Sequence, residues 1–221
     1  MIDTCNTERI ASFKSKFHTV LNRVLTENDQ SVEDNDPTSR VLFYYKSPVH
    51  DKTLRSYHDI DHVLDCIYIL DNISEQLDIS IPEYDSLFLS LVYHDAIYLV
   101  DPSSKSAGSN EKLSAELAKA ELRCLGLAKG FVQEVYDLIL ATDHSKEIDN
   151  PSKLEQIIRD IDLAGLARVW EEFDKASIAV RQEFGCIDED SYRVGRIAFM
   201  SKLLDRDYIY MNTLLRKKMG E

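Results

Sequence analysis

The chain has 221 residues, 44% of them hydrophobic and 29% charged, the profile of a globular protein that can bury a core without disulfide or metal staples. Its 39 acidic and 26 basic side chains leave a formal charge of −13, which argues against long nucleic acids and anionic membranes as partners. A small anionic substrate remains compatible with this balance if metal ions or a few local cations offset the field.

No stretch approaches the ~18 uninterrupted apolar residues of a membrane helix. The opening MIDTCNTERI lacks a basic region followed by an apolar run, so no secretory signal is expected. Cys5, Cys66, Cys124 and Cys186 are widely spaced and form no CxxC pair, which predicts a reducing, cytoplasmic setting. Burial as a small apolar filler is expected for all but Cys5.

In chain order, residues 8–28 place Ile10, Phe13, Phe17, Val20, Leu21, Val24 and Leu25 on one helical face. The polar segment 28–40, with Pro37, reads as a loop. Residues 41–45 suit a strand or a short buried helix, and no second strand pairs with them. Ser56 and Asp59 resemble a capping box ahead of a helix carrying Ile60, Val63, Leu64, Ile67 and Leu70. A helix over about 83–97, apolar nearly all round, belongs at the centre of a bundle. Residues 101–109 form a polar loop, and a helix capped by Ser109 stops at Gly126. Further helices are expected over 130–143, 153–164, 168–184 and 189–218, with Trp170 in the core and His18 in packing or at the surface. The architecture predicted is one all-α domain, residues 1–221, of about eight to ten helices.

Two histidine patterns suggest chemistry. His58 and His62, at i and i+4, share a helical face and could approach one metal or one substrate; a solvent-facing helix start is the plainer alternative. His94 and Asp95 interrupt the most apolar helix. A buried carboxylate needs a partner, either a metal cation or a structural ion pair. Asp160 and Asp162 sit in an apolar frame of Ile157, Ile158, Ile161, Leu163 and Leu166, so at least one of them faces the core. His50-Asp51, in a polar stretch, reads as solvated.

Taken together, five motifs occur in order over about residues 55–165. They are Tyr57-His58-Asp59-Ile60-Asp61-His62, His94-Asp95-Ala96-Ile97-Tyr98, Asn110-Glu111-Lys112-Leu113-Ser114-Ala115, Ala141-Thr142-Asp143-His144 and Asp160-Ile161-Asp162-Leu163. This set resembles the HD superfamily of metal-dependent phosphohydrolases, with a distant likeness to cyclic-nucleotide phosphodiesterases. A weaker likeness continues through Gly195-Arg196 and Leu204–Tyr210. Asp59 departs from the Asn of the pattern and adds negative charge beside the site.

The resemblance implies a single HD-like helical bundle, with a metal-site core at about 55–165 and a helical C-terminal extension at 166–221. It implies that His62, His94, Asp95 and Asp162 hold a divalent ion (Mn, Fe, Zn, Ni or Mg), with Asp162 favoured over Asp160. His58 would protonate the leaving oxygen, Asp95 and Glu111 would serve the catalytic centre, and metal-activated water would cleave the ester. Tyr57, Arg55, His144, Lys146 and Arg196 are candidates for contact with substrate, and Arg159 for a phosphate clamp. The implied activity is hydrolysis of a phosphomonoester or phosphodiester of a small molecule, a nucleotide among the options. A silent nucleotide- or metal-binding sensor on the same fold is the alternative. The expected partner is a small phosphorylated substrate, and a homo-oligomer is compatible with the sequence.

Overall fold

The computed structural model describes residues 4–25, 37–51, 53–100 and 109–220. Among these residues the chain forms ten α-helices and no strand, an all-α bundle. Helix α1 (Thr4–Val24) buries Phe13, Phe17, Val20 and Leu21, the stripe that its 3.6-residue periodicity marks out. Helix α2 (Thr38–Tyr44) takes up the apolar segment that also suited a strand. Val41 and Tyr45, one turn apart, enter the core together, and the Tyr45 hydroxyl donates to the Val92 carbonyl at 2.9 Å. Residues 38–40, expected in a loop, therefore open a helix, while 26–36 lie outside the described residues.

Helix α3 (Ile60–Ile73) is capped by Asp59 rather than by Ser56. The Asp59 carboxylate accepts from the backbone N–H of Asp61 at 2.9 Å and of His62 at 3.3 Å. Asp59 thus serves the helix terminus. Helix α4 (Ile81–Tyr93) begins with a Ser80–Glu83 capping box and Pro82 in its first turn. Every residue from Asp85 to Tyr93 is buried, so α4 is the central helix; Asp85 meets Arg23 of α1, whose Nε donates to it at 3.0 Å. α4 ends at Tyr93, four residues earlier than its apolar run suggests, and His94 begins the departing chain.

Helix α5 (Asn110–Cys124) is capped by Ser109 and ends just before Gly126, whose φ of 86° suits glycine and lets Leu127 N–H return to the Leu122 carbonyl. Of the 101–109 loop only Ser109 is described. Helices α6 (Lys129–Ala141) and α7 (Lys153–Asp162) complete the shell around α4, and a 3₁₀ turn, Leu163–Ala167, extends α7. Helix α8 (Trp170–Glu183) follows.

The single helix expected over 189–218 is two: α9 (Glu189–Leu204) and α10 (Thr213–Met219). The break has a visible cause. Buried Asp160 accepts from the backbone N–H groups of Met211 at 2.9 Å and Asn212 at 2.6 Å, and the Asn212 side chain caps α10. Trp170, expected in the core, is 70% exposed at the start of α8, where its ring meets only Phe173 among the aromatic side chains. Cys66 is buried as expected, but Cys124 and Cys186 are exposed. No helix among the described residues is long and apolar enough to cross a membrane.

Candidate metal centre

Three helices, α3, α4 and α7, bring an end to one point. His62 stands in the first turn of α3, where the Asp59 cap fixes the backbone. His94 and Asp95 leave the C-terminal end of α4, and Asp162 closes α7. One donor atom from each of these residues lies within 4.8 Å of the others. The Nε2 atoms of His62 and His94 are 3.2 Å apart. Asp162 Oδ1 lies 3.1 Å from His62 Nε2 and 3.3 Å from His94 Nε2, and Asp95 Oδ2 lies 3.0 Å and 3.7 Å from His94 and His62. Ligands about 2.1 Å from an ion at octahedral or tetrahedral angles stand about 3.0 to 3.4 Å from one another. Four of the five distances above have those lengths, and the His62–Asp95 edge at 3.7 Å is longer.

The tautomer agrees. His94 Nδ1 donates to the Leu91 carbonyl at 2.9 Å, which turns Nε2 to the cluster, the atom that a metal-binding imidazole offers once it gives up its proton. The electrostatics point the same way. Burial opposes protonation of His94, but Asp95 and Asp162 outweigh it and hold its pKa well above the ordinary imidazole value. His62 is raised in the same sense against its own burial, with Cys66 and Asp162 beside it. Burial would raise both carboxylates, yet the imidazoles hold Asp95 and Asp162 below the usual range. Two buried carboxylates facing two imidazoles call for positive charge between them, and a divalent cation supplies it. The residues present therefore fit a metal.

His58 lies next to the cluster and is fixed on three sides. Its ring stacks on Tyr98 at 3.8 Å between centroids and meets the edge of Tyr57 at 4.8 Å. Its Nδ1 donates to Glu183 Oε2 at 2.6 Å, so Nε2 is left for the cavity that His58 lines. Glu183 is fully buried, and its Oε1 accepts from the backbone N–H groups of Ser56, Tyr57 and His58 at 2.8, 2.8 and 2.9 Å. Burial alone would raise its pKa, but the His58 bond and these N–H groups bring it below the ordinary carboxylate value. Glu183 is the site residue that the sequence did not disclose. It stands among the many charged residues of α8, of which only Val180 and Glu183 are buried. Glu183 lies in the C-terminal segment, beyond residue 165.

His144, in the loop after α6, donates from Nε2 to Asp162 Oδ2 at 2.9 Å. Glu111, in the first turn of α5, lines the cavity; burial raises its pKa, and Asp143 and Asp95 push the same way. Asn110 and Ser114, one turn apart, hold the chain that follows Asp95. Asn110 exchanges hydrogen bonds with Leu99 at 3.0 and 3.1 Å, and Ser114 with Ile97 at 3.0 and 3.1 Å. Those two motif residues hold backbone.

The expected phosphate contacts fare differently. Arg55 is buried, donates to the carbonyls of Ser47, His58, Asp95 and Ala96, and does not line the cavity, so it fixes the His58 and Asp95 backbone. Arg159 is buried and donates to the carbonyls of Ala141, Asp143 and Lys146, anchoring the loop that carries His144. Lys146 is exposed, pairs with Asp143 at 2.6 Å, and does not line the cavity. Tyr57 and Arg196 do line it. Asp160 turns away to Met211 and Asn212, so of the two acids in its motif it is Asp162 that meets the histidines.

No known protein family matches this chain by its sequence, and no curated protein does.

Proposed function

We propose that this protein is a metal-dependent phosphohydrolase acting on a small phosphorylated molecule. The observation that carries the reading is the convergence of His62, His94, Asp95 and Asp162 on one point beside a cavity lined by His58. The likeness of the five motifs to the HD superfamily supports it and supplies the reaction class.

These four residues would hold the ion. When bound there, a divalent ion supplies Lewis acidity, activating water and drawing charge from a phosphoryl oxygen. The chain's own residues do the rest. Hydrolysis adds water across a P–O ester bond, and the departing alkoxide needs a proton. The imidazolium form of His58 supplies that proton from Nε2, and Glu183 on Nδ1 holds the ring and balances its charge. Tyr98 and Tyr57 keep the ring from turning. His144 donates to Asp162 and so orients that carboxylate. The free thiols of Cys66, Cys124 and Cys186 support a reducing compartment such as the cytoplasm.

The test is phosphate or alcohol release from 4-nitrophenyl phosphate and bis(4-nitrophenyl) phosphate by protein reloaded with Mn, Fe, Zn, Ni or Mg. Turnover that needs one of these metals and falls by about 10²-fold or more in His58→Asn is expected. Full activity in a chelated preparation, or in His58→Asn, would refute the assignment.

A further inference from the structure

The cavity beside the metal cluster has a volume of about 560 Å³ and two unlike kinds of lining. His58, Asp95, Glu111, His144 and Asp162 make the polar part. Leu163, Leu166, Phe173, Val180, Phe184 and Phe199 make an apolar wall, from the 3₁₀ turn, α8, α9 and the connection between those two helices. Among the described residues that line the cavity, Arg196 is the only Lys or Arg, and it lies over the Phe199 ring at 5.5 Å. Four carboxylates line the same space: Asp95, Glu111, Asp143 and Asp162. Arg55 and Arg159 are committed to backbone carbonyls, and Lys146 to Asp143.

A divalent ion would balance Asp95 and Asp162 and little more. One phosphate can then be held between the ion and the imidazoles. A second or third phosphate would meet carboxylates and apolar wall with Arg196 as its only described cationic partner, and an uncompensated charge there is costly. The apolar wall in turn favours a group that sheds water on entry.

We infer that the substrate of this site is a phosphoester with one phosphate and an apolar organic group, and not a nucleoside polyphosphate. The ester rests on the phosphohydrolase reading; the single phosphate and the apolar group rest on the charges and the wall alone.

Two series separate these. Calorimetric titration of the full chain with methyl-, butyl- and octylphosphonate, which have no ester to cleave, reads the wall, with Mn and without it. Phosphate release from methyl, butyl and octyl phosphate reads turnover. Affinity and kcat/KM are expected to rise along each series, by up to about fourfold per buried methylene. Octylphosphonate is expected to bind more tightly than adenosine triphosphate. Leu166→Asn and Phe173→Ser, at two half-buried wall positions, should each bring the octyl-to-methyl ratio towards one. A flat phosphonate series in the wild-type protein, or tighter binding of the triphosphate, would overturn the inference. A steep phosphonate series with no phosphate released from any ester would keep the pocket assignment and overturn the hydrolase reading instead.

Discussion

His58 and Glu183 show how one buried carboxylate can set a neighbour's task. Glu183 has no outlet to solvent, and each of its oxygens is occupied by N–H donors from residues 56–58. It holds both the ring and the backbone that carries the ring. Its pKa is depressed in the folded protein, so it contributes stability that is present above the unfolded carboxylate value near 4.3 and is lost as pH falls through the lower, folded value. Glu183→Gln should therefore melt below the wild-type protein at pH 7, and the gap between the two melting temperatures should close as pH falls below about 4. The same variant should lower kcat with metal content unchanged, since Glu183 touches no ligand of the proposed ion. Gly165 is a second single-residue constraint. A Cβ there would stand 2.7 Å from the Tyr57 hydroxyl, closer than packed atoms come. Gly165→Ala is expected to displace the Tyr57 ring from His58 and His62, lowering activity more than stability; activity equal to wild type would show that Tyr57 does not position the imidazoles.

Between elements, the decisive bond is that of Asp160 to the start of α10. Burial raises the Asp160 pKa to about 6, although the Met211 and Asn212 N–H groups work against the shift. A carboxyl whose folded pKa is raised binds its proton more tightly in the folded state, so its contribution diminishes as pH rises from about 4 to about 6. This sign is opposite to that of Glu183. Against Asp160→Asn, whose amide does not titrate, the wild-type melting temperature should drop steadily across that window. A constant difference between the two would contradict the account of how α10 is attached. Helix termini also explain which elements were legible in the sequence. Ser109 precedes a helix that begins where its cap is expected, and the apolar run of α4 does lie at the centre. The break between α9 and α10 was not legible, because its cause is a long-range hydrogen bond from α7 rather than a local Pro or Gly. Trp170 was misplaced for a related reason: a large aromatic side chain suggests burial, but at the first residue of α8 it faces outward, and no local pattern reports that.

For the whole molecule, the bundle uses its sequence-distant helix ends to assemble one site. The donor residues were legible because His and Asp are rare within apolar frames, and their order resembles the HD pattern. Roles for long cations were not. Arg55 and Arg159 have the chemistry of phosphate clamps, but only the tertiary fold shows each enclosed by backbone carbonyls. Glu183 was hidden for the converse reason, as one acid among the many on α8. Since α3, α4 and α7 all end at the cluster, an ion bound there should tie them together. Chelation of metal-loaded protein is expected to lower its melting temperature, and the loss should disappear in His94→Ala, which cannot close the cluster. The measurement that bears most directly on the account is elemental analysis of the native protein beside His94→Ala and Asp162→Ala. One or two transition-metal ions per chain, lost in both variants, is the predicted result. No ion in the native protein, even after reloading with Mn, Fe, Ni or Zn, would contradict it.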